Sequence, residues 1–123
     1  SGQEAPAAEL LRVKQDGTQI FEPVSQFNAQ LNKYVPLPID FGAESDQLFL
    51  LLFGSGWRGH SGSVIALIGE TSIPVPYAGP QGDFIGQDQI NLQLPRTLIG
   101  RGEATLSLTV EGQMANLVTV AFR

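Results

Sequence analysis

The only histidine of the chain, His60, lies in a glycine-rich segment beside Ser61 and Ser63. A serine next to a histidine has the chemistry of an acyl-transfer nucleophile and its general base. Side chains that are neighbours in sequence rarely reach the required geometry, and no Gly-x-Ser-x-Gly motif occurs. We therefore expect His60 to be a solvated loop residue and not a catalytic one.

Carboxylates are concentrated in two segments. Asp40, Glu44 and Asp46 share one segment, and Asp83 and Asp88 share the other. Two carboxyl groups across a cleft act as acid and base in most glycosidases, so the pattern allows a hydrolase. Carboxylates in loops also cap turns and keep the surface soluble, and we expect this simpler role.

One group of oxygen-bearing side chains has a spacing loosely typical of calcium loops. Asp83, Asp88 and Asn91 are candidate calcium ligands, because calcium prefers oxygen donors. The EF-hand pattern is absent, and Asp88 and Asn91 can instead hydrogen-bond the backbone of the preceding loop. We expect that structural role and predict neither a metal nor a cofactor.

A candidate binding loop contains Trp57, Arg58 and His60. An exposed tryptophan can stack on a sugar ring or on an apolar side chain of a partner, which makes a carbohydrate-binding module the alternative function. Tyr77 and Phe84 also lie in or beside loops, and we expect them to plug the ends of the core. The glycines form no phosphate cradle, because no Lys-Ser/Thr pair follows them.

The elements that must position these residues are short and rich in β-forming side chains. Residues 89–94 and 104–110 alternate strictly between apolar and polar, as half-buried strands do. Leu48–Phe53 is apolar on both faces, which predicts either a central strand covered on both sides or a strand that crosses the core. Strands are expected at 10–14, 18–24, 33–35, 48–53, 63–68, 73–77, 89–94, 104–110 and 116–122.

The connections between these strands carry turn residues. Asp16-Gly17 predicts a type I′ hairpin turn. Residues 25–34 are expected as a turn, 78–88 as a long Gly/Pro-rich loop, and 95–103 as a connection.

Seven to nine short strands without a helix predict an all-β fold. The expected architecture is an immunoglobulin-like β-sandwich of two antiparallel sheets. Residues 1–9 are expected to form a linker or flexible N-terminal segment, and residues 10–123 the sandwich domain.

Composition narrows the function classes. Only 15% of the 123 residues are charged, whereas a typical soluble domain has about 25%. Seven scattered basic residues face twelve acidic ones, so no basic surface for nucleic acid or an anionic membrane is expected. The longest apolar run is far shorter than the ~20 residues of a membrane helix. Without cysteine, disulfides and thiolate metal sites are excluded.

Several sequence motifs resemble a domain family. The segments that carry the resemblance are Phe53-Gly54-Ser55-Gly56 with Arg58, Tyr77–Pro80, Gly86–Asn91, and Leu94–Leu98 with Gly100–Gly102. Over about residues 10–122 the chain resembles the immunoglobulin-like (IPT/TIG-like) C-terminal domain of uncharacterised secreted acidobacterial proteins. Gln87, Ser55 and Glu111 stand where that family usually has Leu, Thr and Asp, and Trp57 stands where it usually has an aliphatic residue.

The resemblance implies an extracellular, non-catalytic module, usually at the end of a longer secreted or cell-surface protein. It supplies no catalytic residues. We therefore expect a structural or interaction module whose partners are other domains of the same chain or other copies of itself. Edge strands can pair with another chain, and either Leu10–Val13 or the C-terminal strand is expected to provide such an edge.

Overall fold

A computed structural model describes residues 8–54, 64–80, 88–110 and 112–123. Within these ranges the chain forms twelve strands and one turn of 3-10 helix at Arg96–Leu98. The strands are β1 (Ala8–Val13), β2 (Gln19–Glu22), β3 (Ser25–Asn28), β4 (Lys33–Pro36), β5 (Pro38–Ile39), β6 (Gln47–Gly54), β7 (Val64–Ile68), β8 (Thr71–Ile73), β9 (Tyr77–Pro80), β10 (Asp88–Gln93), β11 (Gly102–Val110) and β12 (Gln113–Phe122). In the same ranges, no helix is long and apolar enough to cross a membrane.

The strands form two five-stranded sheets and a separate hairpin. Sheet 1 has the order β2-β1-β6-β10-β9, sheet 2 has the order β5-β12-β11-β7-β8, and β3 pairs with β4. All pairs are antiparallel except the short parallel pair of β5 with β12. The predicted all-β sandwich is therefore confirmed, with more strands than the sequence pattern predicted.

The inward-facing residues of the two sheets form one hydrophobic core. Leu10, Leu50 and Leu92 stand opposite one another across the middle of sheet 1, and all three are buried. Leu108 and Val120 of sheet 2 belong to the same cluster. Burial of each such side chain stabilises the fold by about 1.5–3 kcal/mol.

β6, the central strand of sheet 1, is apolar on both faces. Its inward residues join the core, whereas Phe49 and Leu51 lie on the opposite, outer face. Phe49 stands opposite Leu11 of β1, and Leu11 stands opposite Phe21 of β2. An apolar row therefore runs across the outer face of sheet 1 and ends at β2.

The hairpin that joins β1 to β2 differs from the prediction. The N–H of Gly17 donates to Lys14 O at 2.9 Å, and Gly17, with a φ of 89°, is the one residue of this loop whose φ is positive. A type I′ turn needs positive φ at both Asp16 and Gly17, so that prediction is wrong. The loop is a three-residue connection with a left-handed glycine, and Asp16 Oδ1 accepts the N–H of Thr18 at 2.9 Å.

Two segments predicted as a turn and as a loop contain short strands. The predicted turn at 25–34 includes β3 and extends into β4, and the first residues of the predicted 78–88 loop belong to β9. The predicted strand at 73–77 is divided, because β8 ends at Ile73 in sheet 2 and β9 begins at Tyr77 in sheet 1. Pro74 and Pro76 lie between them, where the chain passes from one sheet to the other and no ladder bonds are needed.

Candidate functional site

The strand at one end of sheet 1, β2, is the candidate interaction edge. β2 pairs with β1 on one side, and no strand of the described residues pairs with its other side. The prediction that Leu10–Val13 provides an open edge is wrong, because β1 lies between β2 and β6. The hairpin between β1 and β2 therefore places β2, and not β1, at the end of sheet 1. The C-terminal strand β12 pairs with β11 along its length but with β5 only at Ala121 and Phe122. No strand of the described residues pairs with the rest of that side, so the prediction that the C-terminal strand provides an edge is not contradicted.

The phase of the ladder shows which backbone groups of β2 are open. The N–H of Lys14 donates to Thr18 O at 2.8 Å, and hydrogen-bonded pairs of an antiparallel ladder recur at every second residue. Ile20 therefore directs its N–H and C=O toward β1. Gln19 and Phe21 direct theirs away from the sheet, so two donors and two acceptors line the open side.

The side chains of β2 add apolar surface to these open groups. Ile20 is 40% exposed and Phe21 is 54% exposed. Phe27 and Leu31, in the hairpin that follows, are also exposed. Four of the seven exposed large hydrophobic side chains found in the described residues thus lie between positions 20 and 31. This concentration is typical of a contact surface and not of scattered exposed residues.

The only charged residue of β2, Glu22, is neutralised within the chain. Arg12 Nε donates to Glu22 Oε2 at 2.7 Å, and Arg12 Nη2 donates to Glu22 Oε1 at 3.3 Å. This bidentate bond raises the pKa of Arg12, so the guanidinium is charged at every relevant pH. Natural sheet edges are commonly protected by a free charge, and this pairing removes that protection from β2.

Arg12 occupies an inward position of β1 and is only 8% exposed. Its remaining donors reach the segment before β6: Nη1 donates to Phe41 O at 3.1 Å and to Asp46 Oδ2 at 3.2 Å, and Nη2 donates to Asp40 O at 2.6 Å. All five N–H groups of the guanidinium therefore have an acceptor. A buried arginine is tolerated here because none of its donors is left unpaired.

Asp46 is held by two cations. Its carboxylate accepts from Lys14 Nζ at 2.9 and 3.1 Å, in addition to the bond from Arg12. The hydrogen bond from Lys14, followed by that from Arg12, lowers the pKa of Asp46 below its ordinary value, although burial opposes the shift. Arg12, Lys14, Glu22 and Asp46 together form what we term the arginine cluster. It ties β2, β1 and the start of β6 into one unit.

The backbone at Gly42 fits closely around this cluster. Gly42 has a φ of 66°, and its N–H donates to Asp40 Oδ1 at 2.9 Å. A Cβ at this position would lie 2.9 Å from Arg12 Nη1 and 3.0 Å from Asp46 Oδ2. Glycine is therefore required for both its conformation and its lack of a side chain.

A second arginine supports the same segment from the other side. Arg96 Nη2 donates to Asp46 O at 3.2 Å and to Ala43 O. Its guanidinium carbon also lies 5.6 Å from the centre of the Phe41 ring, within cation–π distance. The loop between β5 and β6 is thus fixed by Arg12 on one side and Arg96 on the other.

The other terminal strands of the two five-stranded sheets are shorter than β2 or contain proline. β5 has two residues and one of them is Pro38; β8 has three residues; β9 ends at Pro80. Proline cannot donate a ladder hydrogen bond, and short strands offer few groups to a partner. β2 is four residues long, and neither of its outward-directed residues is proline.

Most of the predicted binding residues lie outside the described residues. These are Trp57, Arg58, His60 and Asp83, and Phe84, which is expected to plug an end of the core, lies outside them too. Their roles in sugar, calcium or partner binding stay predictions. Among the residues that the structure describes, no three histidine, cysteine, aspartate or glutamate side chains lie together as a metal site requires.

Asp88 and Asn91 belong to β10 and not to a loop. Asn91 Oδ1 accepts a hydrogen bond from Gln89 Nε2 at 2.7 Å, on the outer face of sheet 1. Tyr77 stands opposite Asn91 across the β9–β10 pair and is exposed. The expectation that Tyr77 plugs the end of the core is wrong, because the register places its side chain on the outer face.

The three carboxylates of the 40–46 segment have different surroundings. Asp46 is buried and paired, whereas Asp40 and Glu44 are exposed. A glycosidase acid must hold its proton near neutral pH, and the lowered pKa of Asp46 is opposite to that requirement. Its oxygens are also bound by Lys14 and Arg12 and the side chain is buried, so Asp46 has a structural role in the arginine cluster.

In the sequence, Arg12 looks like one of several isolated basic residues. Its position nevertheless indicates burial, because Arg12 follows Leu10 by two positions and so shares the inward face of the strand. One group of its acceptors comes from β2. The other comes from the loop before β6, which lies 28 to 34 residues further along the chain. That pairing depends on the tertiary fold and has no local pattern.

No protein-family model matches the chain, and neither a curated protein nor a solved structure is similar enough to count as a match. The resemblance to IPT/TIG-like domains therefore depends on the sequence motifs alone.

Proposed function

We propose that the chain is a non-catalytic interaction module of a secreted or cell-surface protein, and that it associates with other copies of itself by strand addition at β2. The observation that carries this proposal is the open side of β2, where Gln19 and Phe21 direct four backbone polar groups outward beside exposed apolar side chains. In strand addition, backbone bonds supply affinity and alternate side chains supply specificity.

The arginine cluster supports this role because it fixes β2 in place before a partner arrives. Glu22 is held by Arg12, and Arg12 is held by the loop that precedes β6. A preformed edge loses little conformational entropy when another strand pairs with it. The immunoglobulin-like classification and the extracellular location are supported by the resemblance described above.

Two alternatives have less support. Carbohydrate binding through Trp57, Arg58 and His60 depends on a loop outside the described residues. Hydrolysis by a carboxylate pair would have to proceed without Asp46, because that carboxylate is buried and its oxygens are bound by Lys14 and Arg12.

Sedimentation velocity of the purified chain at about 10 µM to 1 mM tests the proposal, with Gln19→Pro as the diagnostic variant. The N–H of Gln19 points away from β1, so a proline there removes an outward donor without removing a bond of the native ladder. Gln19→Thr is the matched control, because it changes the same side chain and keeps the N–H.

We expect the wild type and Gln19→Thr to associate reversibly, and Gln19→Pro to stay monomeric at the 13.2 kDa of one chain. Urea unfolding of each variant shows whether the fold is retained. A wild type that is monomeric throughout this range would contradict the proposal. Equal association of Gln19→Pro and Gln19→Thr would contradict it as well.

A further inference from the structure

We infer that the strand which pairs with β2 is β2 of a second copy, antiparallel, with Ile20 opposite Ile20 of that copy. This inference rests on the proposed strand addition and names the partner strand and its register. It follows from the phase of the ladder, from the position of Pro23 and from the pairing of Glu22.

The phase of the ladder limits the possible registers. Outward-directed residues of one copy must stand opposite outward-directed residues of the other, since only these can form hydrogen-bonded pairs. With Ile20 at the centre, Gln19 of each copy stands opposite Phe21 of the other. Two N–H groups and two C=O groups from each copy then form four hydrogen bonds, and no open group of β2 is left over.

The neighbouring registers satisfy fewer groups. A register centred on Phe21 places Gln19 opposite Pro23, which has no N–H to donate to Gln19 O. A register centred on Gln19 places Phe21 opposite Gly17, whose N–H already donates to Lys14 O at 2.9 Å. The register centred on Ile20 is therefore the one that uses all the open groups.

Side chains favour the same arrangement. The two Ile20 side chains meet as a non-hydrogen-bonded pair, the closest kind of cross-strand contact. The two Phe21 rings lie diagonally on the outer face, at about 7–8 Å, which is within reach of aromatic side chains. The apolar row of Phe49, Leu11 and Phe21 would then continue into the same row of the second copy.

Charge does not oppose the pairing at the contact itself. Glu22 stands opposite Thr18 of the other copy and is already neutralised by Arg12. No like charges therefore face each other between the two β2 strands. The product is a two-fold symmetric dimer with one continuous ten-stranded sheet, an isologous interface that closes after two copies.

Disulfide trapping tests the register, and the natural absence of cysteine makes single-cysteine variants unambiguous. In Ile20→Cys, the two thiols of a dimer would lie opposite each other with Cα atoms about 4.5 Å apart, within disulfide range. Thr18→Cys is the matched control. Thr18 is exposed and lies on the same strand face as Ile20. In the inferred register it stands opposite Glu22 of the second copy, so the two Thr18 residues are about 13 Å apart along the strands.

We expect Ile20→Cys to form a disulfide dimer in a glutathione redox buffer at least tenfold more than Thr18→Cys does. Adding Gln19→Pro to Ile20→Cys should abolish this excess. If Ile20→Cys is trapped no more than Thr18→Cys while Gln19→Pro still prevents association, the inferred register is wrong and strand addition stands. If Gln19→Pro leaves association unchanged, strand addition at β2 and the inferred dimer both fail.

Discussion

Arg12 Nε lies 2.7 Å from Glu22 Oε2, so the one charged side chain of the edge strand β2 is bound to the strand beside it. The bond fixes β2 against β1, and it leaves the outer side of β2 without a free charge. The same guanidinium reaches the buried carboxylate of Asp46 at 3.2 Å. One side chain thus links the stability of the sandwich to the properties of its edge.

Replacing Arg12 by methionine should destabilise the fold. Methionine fills a similar volume, but Glu22 loses its cation and Asp46 keeps only Lys14. Breaking a buried ion pair costs about 3–5 kcal/mol, and we expect about 3 kcal/mol because Glu22 is partly exposed and Lys14 still compensates Asp46. Urea unfolding measures the change, with the exposed Arg101→Met as control. Equal losses for the two variants would contradict a central role for Arg12.

Gly42→Ala should cost more stability than Gly17→Ala. Both glycines have positive φ, and an alanine in that conformation costs about 1–2 kcal/mol. At Gly17 an added Cβ meets nothing within 4 Å, whereas at Gly42 it lies 2.9 Å from Arg12 Nη1. The difference between the two unfolding free energies therefore measures the close approach at the arginine cluster. If Gly17→Ala costs as much as Gly42→Ala, the cluster is looser than the structure shows.

Acid should destabilise the protein through Asp46. Its pKa is lowered in the folded state, so the unfolded chain binds the proton more tightly. The corresponding stability is fully present above about pH 5, and it is lost as the pH falls through the ordinary aspartate value of 3.8 toward the lower folded value. Unfolding free energies between pH 7 and pH 2 should fall less steeply for Asp46→Asn than for the wild type.

The matched control for that experiment is Asp16→Asn. The pKa of Asp16 is also lowered, mainly by its hydrogen bonds with Thr18, but Asp16 lies in the exposed hairpin loop. Asparagine keeps an acceptor for the N–H of Thr18. We expect the unfolding free energy of Asp16→Asn to fall at low pH nearly as much as that of the wild type. If Asp46→Asn loses as much unfolding free energy between pH 7 and pH 2 as the wild type does, other carboxylates cause the acid destabilisation.

Phe21→Ser should weaken self-association without a large loss of stability. Phe21 is 54% exposed at the open edge, and Ile65 has the same 54% exposure on β7 of the other sheet. Removing an aromatic contact from the proposed interface should raise the dissociation constant at least tenfold, which is about 1.4 kcal/mol. Sedimentation velocity should show this change for Phe21→Ser and not for Ile65→Ser. The opposite order would place the contact on sheet 2.

The sequence predicted the strands whose side chains alternate, because one face of each is buried. Residues 89–94 and 104–110 are examples, and β10 and β11 occupy nearly those positions. The two-faced pattern of Leu48–Phe53 also indicated the centre of a sheet. The sequence does not predict β3, because Ser25–Asn28 has mostly polar side chains. Its one aromatic residue, Phe27, packs edge-on against Tyr34 of β4 at 5.3 Å, a contact that only the strand pairing creates.

The candidate site was harder to predict than the fold. Edge status depends on which strand ends a sheet, and that order is a property of the assembled topology. Leu10–Val13 has the stronger β-pattern and is one of the two strands expected at an edge, but the hairpin places β2 outside it. The bond from Arg12 to Asp46 spans 34 positions and depends on the same assembly.

Amide hydrogen exchange at Phe21 tests strand addition most directly. Its N–H points away from β1, so it should exchange quickly in the monomer, whereas the N–H of Ile20 is protected in the hairpin. Exchange measured by NMR at about 20 µM and at about 1 mM should show Phe21 protection rising at least tenfold with concentration, with Ile20 protected at both. A Phe21 amide that exchanges at the same rate at both concentrations would contradict pairing at this edge.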